Sequence, residues 1–319
     1  MRFVRFKKAG RTGFAVSHKA SPFRGWFADE AQYPGDLPAF VANGAAGLAE
    51  AGKRLQGAPE VDLTDAEYLP PLPEPGKIIC IGLNYADHSA ESGFAVPTYP
   101  TVFARFASSL IGHGAPIVRP KVSEQLDYEA EFVAVIGKGG RNIARAAALD
   151  HVVGYALFND ASIRDFQLRT PQWTVGKNFD GTGAFGPAFV TADELPPGCR
   201  GLRIETRLNG QVVQSASTDD LIFDIASLVS ILSEAITFFP GDIIVTGTPA
   251  GVGLARKPPL WMKPGDVCEV EVEQVGVLRN SVIDEIKTTR ISPKEIVGNH
   301  AGDAHDPDHR FHQADSPRW

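Results

Sequence analysis

Apolar positions fall in short blocks over most of the chain. Lys77 to Ile81, Phe132 to Ile136, Ile243 to Thr246 and Val267 to Val275 are apolar with β-branched character, and Gly, Pro and Asp turns separate them, the pattern of strands. Val152 to Phe158 is another apolar stretch, closed by Asn159-Asp160. Helical spacing is clear in one place: Ile225, Leu228, Val229 and Leu232 share a face, with Asp224 placed to cap the N-terminus. Ala144 to Leu149 fits a short helix or an alanine-rich turn equally well. Between Leu69 and Gly76 stand Pro70, Pro71, Pro73 and Pro75, which cannot continue a helix or a central strand and so mark a stiff connector. The pattern predicts a strand-rich α+β protein with a small N-terminal domain at 1–72, a main domain at 73–290 and a polar tail at 291–319.

Composition narrows the class. With 319 residues, 43% of them hydrophobic and 22% charged, the chain can bury a large core, which excludes wholesale disorder. No apolar run approaches the ~20 residues of a spanning helix, and the start lacks the apolar stretch of a secretory signal, so no membrane partner and a cytoplasmic address are expected. The formal charge of -7, with Lys and Arg scattered, argues against a nucleic-acid partner. Cys80, Cys199 and Cys268 are too far apart for a thiolate zinc site and odd in number, so they are expected to be reduced and structural. The tail holds His300, His305, His309 and His312; a solvated tail or an arm on a partner subunit accounts for them, and no chemistry is assigned.

Gly181-Thr182-Gly183-Ala184-Phe185-Gly186 matches the G-x-G-x-x-G dinucleotide fingerprint by letter. That fingerprint must open a helix, whereas Pro187 follows here and no amphipathic pattern comes after it, so no dinucleotide cofactor is expected. The acidic run Asp127-Tyr128-Glu129-Ala130-Glu131 says more. Residues two apart in a strand point to one side, so Glu129 and Glu131 can converge, and two such carboxylates repel unless a cation lies between them. With Asp160 as a third oxygen donor the set suits Mg²⁺ or Mn²⁺, although an exposed strand edge with alternating charge gives the same pattern. His88 and Glu91 form an H-x-x-E pair that a helical turn would place on one face.

Taken together, the motifs resemble those of the fumarylacetoacetate hydrolase family. The resemblance runs through Lys77-Ile78-Ile79-Cys80-Ile81-Gly82-Leu83-Asn84-Tyr85-Ala86-Asp87-His88, Asp127 to Glu131, Asn159-Asp160-Ala161-Ser162-Ile163-Arg164-Asp165-Phe166-Gln167 and Gly176-Lys177. Asn209-Gly210, Pro240-Gly241-Asp242, Thr246-Gly247-Thr248-Pro249-Ala250-Gly251-Val252-Gly253 and Lys263-Pro264-Gly265-Asp266 continue it in order, covering about residues 77 to 285. It implies the family's C-terminal fold, a mixed β-sheet roll, and a homodimer. It also implies that Glu129, Glu131 and Asp160 ligate Mg²⁺ or Mn²⁺, that Lys177 is a cationic donor, and that Arg164, Gln167 and Thr248 contact a 2-oxo acid. His88 and Glu91 would act as a dyad that takes a proton from water.

On that resemblance the expected activity is hydrolysis of the carbon–carbon bond of an acylpyruvate, giving pyruvate and a carboxylic acid, in aromatic-compound breakdown of the gentisate type. Many relatives have lysine where this chain has Arg105, and Arg169 adds another cation before Gly176-Lys177. Arginine binds carboxylates bidentately, so Arg105, Arg164 or Arg169 could hold a second acid group, which points to maleylpyruvate or fumarylpyruvate. Ordinary ion pairs explain Arg105 and Arg169 as well. The alternatives are a decarboxylase or isomerase of a 2-oxo diacid, of the oxaloacetate or 2-hydroxyhepta-2,4-diene-1,7-dioate type, and a catalytically silent metal-binding assembly protein on the same fold.

Overall fold

The apolar run Ala130–Ile136 forms a strand that is buried on both sides, which is why it reads as continuous rather than alternating. Phe132, Ala134 and Ile136 enter one core cluster, and Val133 and Val135 enter another on the opposite face. The structure, a computed structural model, describes residues 1–19, 21–91 and 96–286, with side chains described for all of these but 88–90. Residues Met1–Glu285 form one compact unit. The second unit, Ile286–Trp319, lies outside the described residues except for Ile286, so the histidine-rich tail is not described.

Among the described residues, Ala130–Ile136 lies within an eleven-stranded mixed sheet. It pairs antiparallel with Val152–Asp160 on one side and Ile243–Val245 on the other. Ile243–Val245 in turn runs parallel to Ile78–Gly82, which pairs with Thr101–Ala104 at the sheet's edge. In the other direction Val152–Asp160 pairs with Gly183–Thr191, which pairs with the N-terminal strand Arg2–Lys8. The Pro-rich segment 70–77 has neither helix nor strand, and the chain joins this sheet on both sides of it.

Helix Ile225–Ala235 forms where the spacing predicts, with Asp224 accepting from the Ser227 N–H as N-cap. It contributes Ile225, Leu228, Val229 and Leu232 to one cluster, together with Val270, Val272 and Leu278 of a five-stranded second sheet. Helix Gly44–Gln56 puts Leu48, Ala51 and Leu55 into the cluster on the opposite face. Two local readings change. Val267 to Val275 is one strand, Val267–Val272, plus the turn into its antiparallel partner Gly276–Asp284, and Ala144 is the extended residue that precedes a 3₁₀ stretch, Arg145–His151, which takes in the rest of the run to Leu149. Gly183 and Gly186 lie in a strand, not at a helix start, with Gly183 opposite Asp160 and Gly186 opposite Leu157. No described helix is long and apolar enough to cross a membrane.

Candidate metal centre and active site

Strand register assembles the acids. Ala130 pairs with Asn159 and Glu131 with Phe158, and the Asp160 N–H donates to the Glu129 carbonyl at 3.0 Å, so Glu129 stands across from Asp160. Residues directly opposite, and residues two apart, share a face. Glu129, Glu131 and Asp160 therefore converge, each offering a carboxylate oxygen within 4.8 Å of the others, and all three are buried. Glu131 accepts from the Gly247 N–H. Position 247 needs glycine, since its φ is +101° and a Cβ would lie 2.8 Å from the Asn84 Cβ. Burial, then Asp160 and Glu129, push the Glu131 carboxyl well above the usual carboxylate range.

Among the described residues, three buried cations surround these acids. Lys177, from the short helix Thr174–Lys177, bridges them, with Nζ 2.7 Å from Glu129 Oε2 and 2.6 Å from Asp160 Oδ2. Burial alone would lower its pKa, yet Asp160 and Glu129 outweigh burial and raise it, so the ammonium is charged. Arg164, from helix Arg164–Gln167, reaches Glu129 Oε1 at 2.7 Å, Gln167 Oε1 at 2.8 Å and Asp127 Oδ2 at 2.8 Å. Its Nη2 is buried with no hydrogen-bond partner. Arg105 lies against Asp160 Oδ1. Among the described residues, and with Glu131 ionised as a bound cation would make it, the four acids Asp127, Glu129, Glu131 and Asp160 exceed the three cations Arg105, Arg164 and Lys177 by one charge, with every member at most 5% exposed. An all-oxygen donor set with a surplus negative charge fits a divalent cation such as Mg²⁺ or Mn²⁺, which Glu129, Glu131 and Asp160 would hold.

The acids open into a cavity of ≈ 300 Å³ lined by Glu129, Glu131, Arg164, Gln167, Lys177, Thr248 and Glu91, with Leu83, Phe103, Leu168, Trp173 and Leu254 among the apolar lining. That is the lower end of the range for small-molecule sites, about 300–1,000 Å³. Glu91 closes helix Ala86–Glu91, and both its oxygens accept from the Gly251 N–H at 3.0 Å. His88 belongs to the same helix, but its side chain lies outside the described residues. Among the expected substrate contacts, Arg164, Gln167 and Thr248 line the cavity, and Arg105 and Arg169 do not. The Arg169 guanidinium sits 3.6 Å from the Phe166 ring centroid, and its side chain is 59% exposed.

Two organising residues escaped the motif reading. Asp127 accepts from the N–H groups of Tyr128, Gly253 and Leu254 at 2.8, 2.7 and 2.9 Å, fixing the loop that carries Leu254 while it holds Arg164. Gln214 donates to Thr248 Oγ1 at 2.9 Å and Pro249 O at 2.8 Å, so the Thr248 O–H points elsewhere. Asp127 stood in the acidic run and could have been found by its alternation with Glu129. Gln214 lies 84 residues from Ala130, whose N–H it accepts, and no local pattern marks it.

Residues 77–283 match the model of the fumarylacetoacetate (FAA) hydrolase C-terminal family. The chain belongs to that family. A mitochondrial oxaloacetate tautomerase of Homo sapiens is 40% identical over 253 residues, 78% of this chain and 80% of the relative. The structure of a fumarylacetoacetate hydrolase from psychrophilic Exiguobacterium antarcticum superposes with a TM-score of 0.76 at 34% identity, covering 89% of this chain and 100% of that one. Maleylpyruvate hydrolase from Sphingobium sp. SYK-6, in complex with manganese(II) and pyruvate, superposes with a TM-score of 0.72 at 29% identity, covering 90% of this chain and 100% of that one. The mostly-strand α+β fold expected from the sequence is the fold of these structures.

Proposed function

We propose that this protein is a metal-dependent enzyme that enolises a short 2-oxo diacid, and that its reaction is the keto–enol tautomerisation of oxaloacetate. The observation that carries this reading is the surplus-charged acid cluster with Lys177 Nζ wedged between Glu129 and Asp160 at the cavity wall. A bound Mg²⁺ or Mn²⁺ would supply a Lewis acid for the 2-oxo acid's carboxylate and keto oxygen. Lys177 donates to the oxygen on which negative charge develops, in a site whose burial makes such a donor strong. A proton leaves C3 and one is returned to the C2 oxygen, so mass is unchanged. Glu91, held by Gly251, with His88 on the same helix, carries that proton.

The cations lining the cavity among the described residues, Arg164 and Lys177, both touch the acid cluster, and the remaining wall around Leu83, Phe103 and Trp173 is apolar. In a four-carbon diacid the second carboxylate lies only one carbon from the keto group, so both acid groups stay close to the part of the lining where Arg164 and Lys177 stand. A longer diacid would set that carboxylate against the apolar wall. The 40% identity to an oxaloacetate tautomerase supports the same choice. A second reading, hydrolysis of an acylpyruvate such as maleylpyruvate, is favoured by Glu91 on the cavity wall and by the likeness to the Sphingobium hydrolase. A homodimer completes the proposal, drawn from the sequence resemblance.

Product analysis separates the readings. Protein stripped with chelator and resupplied with Mg²⁺ or Mn²⁺ is offered oxaloacetate and, in parallel, maleylpyruvate, fumarylpyruvate and acetylpyruvate. Tautomerisation changes the enol absorbance of oxaloacetate without loss of mass, hydrolysis releases pyruvate from the acylpyruvates, and decarboxylation releases carbon dioxide. Pyruvate release from an acylpyruvate far exceeding any effect on oxaloacetate would overturn the first reading in favour of the second.

A further inference from the structure

Arg105 is a fully buried cation behind a metal-ligand candidate and outside the substrate cavity. Its side chain is 0% exposed, and each guanidinium nitrogen has a partner. Nη1 donates to Asp160 Oδ1 and to the Ala161 carbonyl at 3.3 Å, Nη2 to Thr182 Oγ1 at 2.7 Å, and Nε to Ser109 Oγ at 3.3 Å. Thr182 Oγ1 donates in turn to the Phe179 carbonyl at 2.6 Å, which leaves its lone pair facing Arg105. Room for the guanidinium comes from Gly183, where a Cβ would lie 3.1 Å from Nη2 and 3.2 Å from Nε. A side chain with four fixed contacts in a slot this tight cannot rotate without losing several buried hydrogen bonds at once.

We propose that Arg105 is a positioning residue that withholds one oxygen of Asp160 from the metal and so selects against Ca²⁺. Arg105, outside the cavity, holds Oδ1, whereas Oδ2 accepts from Lys177, which lines the cavity, at 2.6 Å; Oδ2 is thus the oxygen on the cavity side, and its second lone pair is the one a cation would meet. Asp160 therefore acts as a one-oxygen ligand. Mg²⁺ and Mn²⁺ accept such ligands in a small octahedral shell, whereas Ca²⁺ takes six to eight oxygens and gains from carboxylates that bind through both. Release of Oδ1 would let Asp160 offer both oxygens and so favour the larger ion. Partners that orient a ligand typically account for ~10–100-fold in metal affinity.

This inference rests on the reading that Glu129, Glu131 and Asp160 hold a cation. The test titrates the full-length, chelator-stripped chain with Mn²⁺, following the free-ion electron paramagnetic resonance signal, and then displaces Mn²⁺ with Ca²⁺. Arg105→Met, Arg105→Lys and Thr182→Val are compared with the parent. Arg105→Met is expected to weaken Mn²⁺ about tenfold or more and to raise the Ca²⁺-to-Mn²⁺ affinity ratio by a similar factor. Arg105→Lys, which keeps a charge at Asp160, should recover most of the Mn²⁺ affinity. Thr182→Val removes one anchor and keeps the charge, so it should shift the ratio in the same direction by a few-fold, and it decides the matter if Arg105→Met does not fold. An unchanged ratio in the folded variants overturns the role of Arg105 alone, whereas a parent chain that binds no Mn²⁺ overturns the metal-site reading with it.

Discussion

Replacing Lys177 by Met tests the charge arrangement at its centre. The variant keeps the length of the side chain and removes a cation that lies 2.7 Å from Glu129 Oε2 and 2.6 Å from Asp160 Oδ2. Lys177 is 1% exposed and Asp160 0%, so solvent screens these pairs little. Removal of one partner of a buried pair generally costs about 3–5 kcal/mol, because the other charge stays buried without compensation. At roughly 1.6 °C per kcal/mol for about 300 residues, the metal-free melting temperature should fall by about 5–8 °C. A cation binding the folded state restores stability by mass action, about 2.7 kcal/mol at a hundredfold excess over Kd. The Mn²⁺-induced rise in melting temperature should therefore be larger in Lys177→Met than in the parent, while turnover falls by about 10²–10³-fold for loss of an oxyanion donor. The assay is thermal and urea unfolding in chelator and in saturating Mn²⁺. Metal-free stability within about 1 kcal/mol of the parent would refute the counter-cation role, since the estimate from a buried pair starts at three times that.

Other outcomes follow from the same geometry. Glu131 titrates above the normal carboxylate range in the metal-free fold, so the folded chain holds a proton that the unfolded chain has released. Metal-free stability should then decline as pH rises from the ordinary glutamate value of about 4.3 toward the raised one. Cation binding displaces that proton, so the Mn²⁺-induced melting shift should be larger at pH 8 than at pH 5.5, and a shift that grows as pH falls would contradict the assignment. Thr248→Val removes an O–H that Gln214 leaves free to meet a ligand, and a bond to a carboxylate is worth about 1.5–3 kcal/mol, so KM should rise roughly ten- to hundredfold with the fold intact. Trp173→Ala shortens the apolar wall next to Phe103, whose ring centroid lies 5.7 Å away, and should raise kcat/KM for acylpyruvates relative to oxaloacetate. An unchanged ratio would mean that the indole does not limit substrate length.

Much of the site was legible because the chemistry sits on regular elements. Glu129 and Glu131 stand two apart beside a strand, so alternation brought those two together, while Asp160, which ends the strand that pairs with it, joined them through the family resemblance. The helix at Ile225–Ala235 was readable from its spacing and its cap because it packs one face on a core. Arg105 shows where such reading stops. Its sequence neighbours, Ala104 and Phe106, give no sign that the guanidinium turns inward to Asp160, 55 residues away, into space that Gly183 leaves open. Gln214 acts the same way, through contacts made only after distant strands and loops have met. The glycine fingerprint misleads by letter for a related reason. Gly183 is required by a neighbouring side chain in a sheet, not by a phosphate at a helix start.

Deuterium exchange at C3 of oxaloacetate in D₂O, followed by proton NMR, bears most directly on the claim that this acid cluster enolises a 2-oxo acid. Mn²⁺ or Mg²⁺ is supplied to chelator-stripped protein, with Glu131→Gln as the variant that keeps the side chain's shape and loses a candidate ligand. Exchange well above the protein-free rate, abolished by chelator and lost in Glu131→Gln, is the predicted result. Exchange that proceeds equally in chelator, or that survives in Glu131→Gln with normal metal content, would contradict it.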